Sequence, residues 1–317
     1  MVVLRLVLPV CGCIAALVPL SSARAAQADG AAAPTAATAG SDGEAPSARV
    51  ARLARQLLVA NADKCPRRRW DFGLTAYRKR APGAPPLPSG QPVEPDGFGV
   101  TQVVPVSPAG RAGLRVQDRI MAVNGHDWTG PGFATTFLRA EQAQPELNRL
   151  ELRIDRNGTP LTVTLTGDMG CAIPVRLVAQ VKPNASASSG MAFINSGLEE
   201  ALPQDDQLAS VIAHEMAHVI LGHSKENTDS TTRARMERDA DALGVRLSLR
   251  AGFDPNAAAR AIEVIGARAR GPISRLLGLY GDHMPTPQRK SFLLEEAIAA
   301  RQERQAEQAA GAAAAQR

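Results

Sequence analysis

Aromatic side chains are scarce in this sequence, where Phe, Tyr and Trp together make up 3% of 317 residues. Hydrophobic residues as a whole reach 44%, which is ordinary for a globular protein. We therefore expect a core made mostly of small aliphatic side chains, and the length suggests about two domains.

Basic charge is also too sparse for a nucleic-acid-binding protein. The formal net charge is only +5 at pH 7, and the basic run CPRRRW at 65–70 is short. Nucleic-acid binding requires basic residues clustered on one face. The sequence therefore predicts no nucleic-acid partner.

Long apolar runs are missing beyond the N-terminus. Residues 1–25 combine Arg5, an apolar run and the small-x-small sequence at 23–25, which is typical of a cleaved secretory signal peptide. The run is nearly long enough to span a bilayer, so an uncleaved anchor is one alternative. Lipid modification of Cys11 or Cys13 is another, although most of the apolar run follows them. We expect an exported protein, periplasmic or secreted.

The following segments differ in composition and periodicity. Residues 26–46 are rich in Ala, Gly, Pro and Thr, which predicts a flexible leader. Residues 47–64 carry apolar side chains at helical spacing. From 66 to 168, short strand patterns alternate with turn signals, and WDFGLTAY at 70–77 is predicted as one strand. The Asn-Gly pair at 157–158 is a hairpin signal.

Within this block, GFGVTQVVPVSPAGRAGLRVQDRIMAVNG at 97–125 resembles the central segment of bacterial PDZ domains. Such domains bind a peptide's C-terminal carboxylate through backbone N–H groups of a glycine loop, and the peptide pairs as an added strand. The resemblance implies that Phe72, Gly73 and Leu74 form this loop. The long Pro-rich insertion at 81–97 departs from compact PDZ domains, and the alternative is that the block is only a structural spacer.

Two cysteines remain once the predicted signal peptide is removed. Cys65 precedes the first strand of the PDZ-like block and Cys171 follows its last strand. The ends of a small domain usually lie close together, and a cysteine pair in an exported chain is typical of a disulfide. We predict a Cys65–Cys171 disulfide, with two unrelated buried thiols as the alternative.

Histidine is rare as well, but three of the five histidines lie in LASVIAHEMAHVILGHSKE at 208–226. His214 and His218 are four residues apart on a predicted helix, so both imidazoles project from one face with spacing suited to zinc. Glu215 is placed to take a proton from the attacking water. His223 follows His214 by nine residues and would lie on the opposite side of the helix. We expect it to be a surface or helix C-terminal residue and not a ligand.

A third ligand has to come from another element. The next predicted helix carries Glu237 and Asp241, four residues apart on one face. Glu237 would complete a His₂Glu site with one open position, and Asp241 would orient a ligand histidine. The neighbouring charges Arg238 and Asp239 leave a solvated charged face as the alternative.

These motifs, together with Gly-Phe-Asp-Pro at 252–255, resemble the zinc metallopeptidases of the HtpX, CAAX prenyl protease and BepA type, which are gluzincins. The segments PNA at 183–185 and DHMPTPQR at 282–289 resemble the same family. The resemblance implies one zinc ion per chain, His283 near the metal as a stabiliser of the oxyanion, and Arg289 in a structural role.

The sequence thus predicts an α+β fold. A PDZ-like β domain precedes a mostly α-helical gluzincin metallopeptidase domain with a small β-sheet at 172–300, and a low-complexity tail occupies 301–317. The implied function is zinc-dependent hydrolysis of peptide bonds in protein substrates, with the PDZ-like domain assisting substrate selection, in quality control of envelope proteins.

The expected partners are protein or peptide substrates and membrane-associated proteins. The alternative function is a PDZ-containing binding or chaperone protein whose zinc domain has little or no proteolytic turnover. The intact Glu215 argues against this alternative, because a scaffold has no need of a general base.

Overall fold

The computed structural model describes residues 43–78, 98–128, 148–224, 228–269 and 287–315. The predicted signal peptide, the Pro-rich insertion and His283 lie outside the described residues. Strands predominate up to Asn195 and helices after it, which confirms the predicted α+β class. Within the described ranges, no helix has the length and apolar character needed to cross a membrane.

The described chain begins with helix α1 (Pro46–Ala60), a 3-10 turn (Ala62–Lys64) and strand β1 (Arg68–Asp71). The prediction of one strand over 70–77 is wrong, because β1 stops at Asp71 and a second strand, β2, starts at Leu74. Gly73 between them has φ +71°, and a side chain at this position would collide with Ser107. The break lets β1 and β2 join different sheets.

The first domain is an antiparallel sheet with one short helix. Its elements are β2 (Leu74–Arg78), β3 (Phe98–Val103), α2 (Pro108–Arg111), β4 (Arg119–Val123), β5 (His126–Asp127), β6 (Arg149–Arg156) and β7 (Thr159–Thr166). The strand order is β2-β3-β4-β6-β7, and β5 pairs with β4. Burial alternates along β6, which turns Leu152 and Ile154 into one cluster with Phe98. Asn157 and Gly158 both have positive φ and join β6 to β7 as the sequence predicted.

Strand β8 (Asp168–Cys171) closes this domain by pairing antiparallel with β1. The ladder runs from Arg68 opposite Cys171 to Asp71 opposite Asp168. A disulfide joins Cys65 to Cys171, whose Cα atoms are 5.5 Å apart. The chain therefore enters and leaves the first domain side by side, through a covalently closed neck.

The second domain combines a small sheet with helices. Its elements are β9 (Val175–Val178), β10 (Ala185–Ser188), β11 (Met191–Asn195), α3 (Ser196–Ala201), α4 (Asp205–Ile220), α5 (Ser230–Arg250), α6 (Ala257–Ala269) and α7 (Pro287–Ala315). The sheet order is β10-β11-β9, with β9 parallel to β11 and β10 antiparallel at the edge. The Ala-Ser-Ala-Ser sequence of β10 lacks the β-branched and aromatic residues that favour strands.

Helix α1 packs on the second domain, although it precedes the first domain in the chain. Val50, Leu53 and Leu57 of α1 share one hydrophobic cluster with Leu208 and Ile212 of α4. Each of these side chains is at most 2% exposed. Helix α1 is therefore part of the core that supports α4.

Two buried arginines also fix α1. Arg49 lies 2.8 Å from a carboxylate oxygen of Glu199 and 2.8 Å from one of Asp205. Arg55 donates from Nε to Asp71 at the end of β1, at 2.7 Å. Removing one partner of a buried ion pair typically costs about 3–5 kcal/mol, so these contacts hold α1 between the neck and the second domain.

The predicted low-complexity tail at 301–317 is helical up to Ala315, as the last turns of α7. Glu303 in this segment pairs with Arg246 of α5 at 2.6 Å. The beginning of the tail is therefore docked on the second domain by charge, which its Ala- and Gln-rich composition did not predict.

Candidate metal centre

Helix α4 places His214, Glu215 and His218 inside the second domain. It begins with Asp205 and Asp206, whose negative charge is favourable at a helix N-terminus. The three site residues are between 2% and 8% exposed. Because the histidines are four residues apart, one face of a buried helix presents both imidazoles.

Helix α5 packs across α4 and supplies Glu237. The two helices approach closely at Gly244, where an added Cβ atom would lie 3.1 Å from both the Cα and the N atom of His214. Gly244 follows Glu237 by seven residues, close to two helical turns, so both residues lie on the face of α5 that meets α4. The absence of a side chain at 244 therefore brings Glu237 within reach of the histidines.

Three donor atoms converge between these helices. The Nε2 atoms of His214 and His218 are 3.1 Å apart. A carboxylate oxygen of Glu237 lies 3.3 Å from the first Nε2, and its other oxygen lies 3.5 Å from the second. The three residues form a group whose ligand atoms lie within 4.8 Å of one another. Two imidazole nitrogens and one carboxylate oxygen are the donor set of a catalytic zinc site with an open position.

Glu215 gives a second sign that this centre accommodates a metal ion and a reacting molecule. Its Oε2 atom is buried and has no hydrogen-bond partner within the described ranges. An unsatisfied buried polar atom is costly, and in native proteins such an atom often has a functional role. Glu215 also lines the same pocket as His214, so the oxygen is available to a molecule in that pocket.

Asp241 supports His214 from the other side of the ring. His214 Nδ1 lies 2.9 Å from Asp241 Oδ1, and Arg289 of α7 donates from Nε and Nη2 to the two oxygens of Asp241, each at 2.7 Å. Arg289, for which the family resemblance implied a structural role, is therefore linked through Asp241 to the candidate metal centre. A carboxylate on Nδ1 fixes the tautomer of a histidine that binds metal through Nε2.

The charges around His214 shift the pKa values of the group. Burial opposes protonation of His214, but Asp241 and then Glu237 outweigh it and raise its pKa to about 9. Burial also acts to raise the pKa of Asp241, yet hydrogen bonds from His214 and Arg289 lower it below the usual value. Asp241 is therefore ionised beside His214.

His223 follows the end of α4, and its ring lies against His218, outside the donor group. The Nδ1 atoms of His223 and His218 are 3.0 Å apart. Burial, and then positive charge on His218, lower the pKa of His223. The periodicity of a continuous helix did not predict this contact, because the chain reverses direction after Ile220.

Glu215 and His214 line part of an apolar pocket. Asp241 and Arg289 also line this pocket. Aliphatic side chains form most of the remaining wall: Ala185, Leu198, Ala258, Ala261, Ile262, Ile265 and Leu293. The pocket therefore suits an apolar side chain of a bound peptide.

The predicted peptide-binding loop lies at the junction of β1 and β2. Phe72 is 3% exposed and belongs to the core of the first domain. The carbonyl groups of Phe72 and Gly73 accept hydrogen bonds from Ala109 and Val104, at 3.0 and 2.8 Å. Strand β2, which starts at Leu74, forms an edge of the described sheet.

Sequence reasoning missed Gly244 and the packing of α1. Gly244 was detectable, because Glu237, Asp241 and Gly244 recur at the spacing i, i+4 and i+7 that defines one helix face. His283 lies outside the described residues, so its role as a stabiliser of the oxyanion stays a prediction.

Each of the two domains contains a segment that matches a known protein family. Residues 173–235 match the model of Peptidase family M48, and residues 99–132 match that of the PDZ domain. These two matches confirm the predicted combination of a PDZ-like domain with a metallopeptidase domain.

Individual proteins show partial similarity. The mitochondrial metalloendopeptidase OMA1 of Schizosaccharomyces pombe is 28% identical over an alignment that spans 38% of this chain and 45% of the relative. The HtrA3 PDZ domain, solved with a phage-derived ligand, is 21% identical with a TM-score of 0.24, and the match covers 32% of this chain and 88% of that domain. The PDZ domain of EpsC from Vibrio cholerae is 19% identical with a TM-score of 0.22, over 30% and 95%.

Proposed function

We propose that this chain, which joins an M48-type metallopeptidase domain to a PDZ-like domain, is a zinc-dependent endopeptidase that cuts protein substrates. The observation that carries the proposal is the group of His214, His218 and Glu237 beside the buried Oε2 atom of Glu215, which has no hydrogen-bond partner among the described residues. When bound, a zinc ion supplies Lewis-acid polarisation of the scissile carbonyl and lowers the pKa of water to about 7.

The residues of this chain have separate roles in the proposed reaction. Glu215 takes a proton from the attacking water and later delivers it to the leaving amine, as a general base and then a general acid. Asp241 holds His214 in the tautomer whose Nε2 atom carries no proton. The apolar pocket beside Glu215 binds a substrate side chain next to the scissile bond. His283 is proposed, from the family resemblance alone, to stabilise the oxyanion.

The first domain is proposed to assist substrate selection. Strand β2 is an edge of the described sheet, and an extended peptide can pair with such an edge as an additional strand. The neck holds this domain close to α1, which packs against the helix that bears the metal ligands. A captured chain would therefore be held near the metal centre.

Substitution of the general base tests the reaction. Glu215→Gln is expected to retain about one zinc per chain, because it removes no ligand, and to lower the rate of protein cleavage about 10²–10⁴-fold, the usual contribution of a general base. His214→Ala should lose both zinc and cleavage. The measurements are metal content by mass spectrometry and cleavage of an unfolded protein.

Glu200→Gln is the matched control, because Glu200 is exposed on α3, and it should change neither quantity. A wild-type protein that binds zinc but cuts no substrate would contradict the proposal and favour the binding or chaperone alternative. Full cleavage by the Glu215→Gln variant would exclude Glu215 as the base.

We further propose that the chain is exported and acts in a periplasmic or secreted setting, in quality control of envelope proteins. The Cys65–Cys171 disulfide supports this setting, since disulfides persist in oxidising compartments. Peptide mapping of nonreduced protein, purified from its own compartment, should recover the Cys65 and Cys171 peptides linked. Two thiols that alkylate readily in that protein would contradict the proposal.

A further inference from the structure

The two ligand histidines are supported in different ways. His214 turns Nδ1 toward a carboxylate oxygen of Asp241, at 2.9 Å. His218 turns Nδ1 toward Nδ1 of His223, at 3.0 Å. In both ligand rings the other nitrogen, Nε2, faces the donor group. His223 therefore lies behind His218 as Asp241 lies behind His214.

The end of α4 brings His223 to this place. Helix α4 stops at Ile220, and Gly222 has φ +66°, a left-handed conformation that reverses the chain. The N–H of His223 donates to the carbonyl of His218 at 3.0 Å, as in a Schellman motif. The rings of His218 and His223 then meet edge to face, with centroids 5.1 Å apart.

One hydrogen-bonding pattern is compatible with a metal ion on Nε2 of His218. A nitrogen that binds metal carries no proton, so the neutral ring has its hydrogen on Nδ1, which donates. Nδ1 of His223 must then accept, and the hydrogen of His223 is on Nε2. A partner of this kind fixes the tautomer and ring orientation of a ligand histidine.

We propose that His223 is a positioning residue that holds His218 in the tautomer and orientation needed to bind the metal. The inference rests on the proposed metallopeptidase function and extends it to a neutral imidazole acceptor behind the second ligand. His223 contributes no atom to the group of His214, His218 and Glu237. Its loss should therefore weaken metal binding without removing a ligand.

The test measures zinc dissociation constants of full-length variants by competition with a chromophoric chelator. His223→Leu keeps bulk but removes the acceptor, and it is expected to weaken zinc binding about 10–100-fold, as for loss of other partners of ligand histidines. His223→Asn places a carbonyl oxygen near the position of Nδ1, and its affinity should stay close to that of the wild type. His126→Leu, an exposed histidine on β5, is the matched control and should change nothing.

The absorption spectrum of the cobalt(II)-substituted protein gives a second readout that does not depend on activity. The visible bands should shift in the Leu variant and return to their wild-type positions in the Asn variant, because Asn supplies the hydrogen-bond acceptor that Leu lacks. If the Leu variant does not fold, His223→Ala, which cannot clash, takes its place in both measurements.

Three outcomes would overturn the inference. Wild-type zinc affinity in the Leu or Ala variant would show that His223 does not position His218 for metal binding. Equal weakening in the Leu and Asn variants would show that ring packing matters and the acceptor does not. A wild-type chain that binds no zinc would contradict both the proposed function and this inference. If the wild-type chain binds zinc and is active, variants with unchanged zinc affinity would contradict the inference alone.

Discussion

Asp241 connects His214, a residue of the candidate metal centre, to helix α7, which follows it in the chain. It is 4% exposed, and a buried carboxylate is costly to keep ionised unless it is paired. The planar guanidinium of Arg289 meets both of its oxygens, a geometry that the single ammonium of lysine cannot reproduce. Helix α7 therefore contributes to the metal centre although none of its described residues belongs to the donor group.

Asp241→Ala is expected to weaken zinc binding about 10–100-fold, because His214 loses the partner that fixes its tautomer. Arg289→Lys should also weaken zinc binding, but by a smaller factor, since the positive charge remains. Chelator competition on the purified proteins measures both. Asp239→Ala, an exposed acid on the same helix, should bind zinc like the wild type, and an unchanged Asp241→Ala variant would show that Asp241 only fills space.

The crossing of α4 and α5 depends on the absence of a side chain at Gly244. A Cβ atom there would press on the backbone of His214 at 3.1 Å, and backbone cannot rotate away as a side chain can. The expected response is a small displacement of α5, which would carry Glu237 away from the two Nε2 atoms. Helix packing and ligand geometry are thus coupled through one residue.

Gly244→Ala is expected to lower the free energy of unfolding by about 1–3 kcal/mol, the usual cost of overpacking, and to weaken zinc binding. Gly311→Ala is the control, because Gly311 lies in α7 with nothing within 4 Å of an added Cβ atom. In a helix this exchange should stabilise by about 0.5–1 kcal/mol. Thermal unfolding of the metal-free proteins measures the stability change of each variant. A stabilised Gly244→Ala variant would contradict the tight crossing of α4 and α5.

Elements that are specified by local periodicity were predictable, and those specified by distant contacts were not. The spacings within α4 and α5 placed His214, His218 and Glu237 on facing surfaces, because helix geometry fixes which residues share a face. The break at Gly73 depends on Ser107, and the position of α1 depends on α4. Neither partner is a sequence neighbour, so no local pattern could reveal these contacts. The turn that returns His223 to His218 was hidden for a related reason, since periodicity cannot show where a helix ends.

At the scale of the molecule, the first domain is inserted into a structural unit made of α1 and the second domain. Asp71 and Asp168 face each other at the end of the β1–β8 ladder, so the residues between them leave and return at one point. Replacing residues 72–167 by a two-residue Asn-Gly turn would convert β1 and β8 into a hairpin, because this turn suits antiparallel strands. The neck disulfide and α1 would be retained.

This replacement is expected to spare cleavage of short unstructured peptides and to reduce cleavage of protein substrates with free apolar C-termini. The physical reason is that the proposed strand addition at β2 would raise the local concentration of substrate at the metal centre. Amidation of the substrate C-terminus should reproduce the defect in the wild-type protein. Peptide and protein cleavage are measured side by side, with zinc content as the check of folding.

Two results would contradict this prediction. If the shortened protein binds zinc yet loses both activities equally, the first domain is part of the catalytic machinery. If it loses neither activity, the domain does not deliver substrate.

The packing of α1 on α4 also sets the order in which the protein can mature during synthesis. Leu53 emerges from the ribosome long before Leu208, which belongs to the same hydrophobic cluster, and at about 5–20 residues per second the delay is on the order of ten seconds. The first domain is continuous in sequence from Leu74 to Thr166. It can therefore fold before α4, on which α1 packs, has been synthesised. Arg289 is made later still, so the candidate metal centre cannot be completely assembled until the start of α7 has been translated.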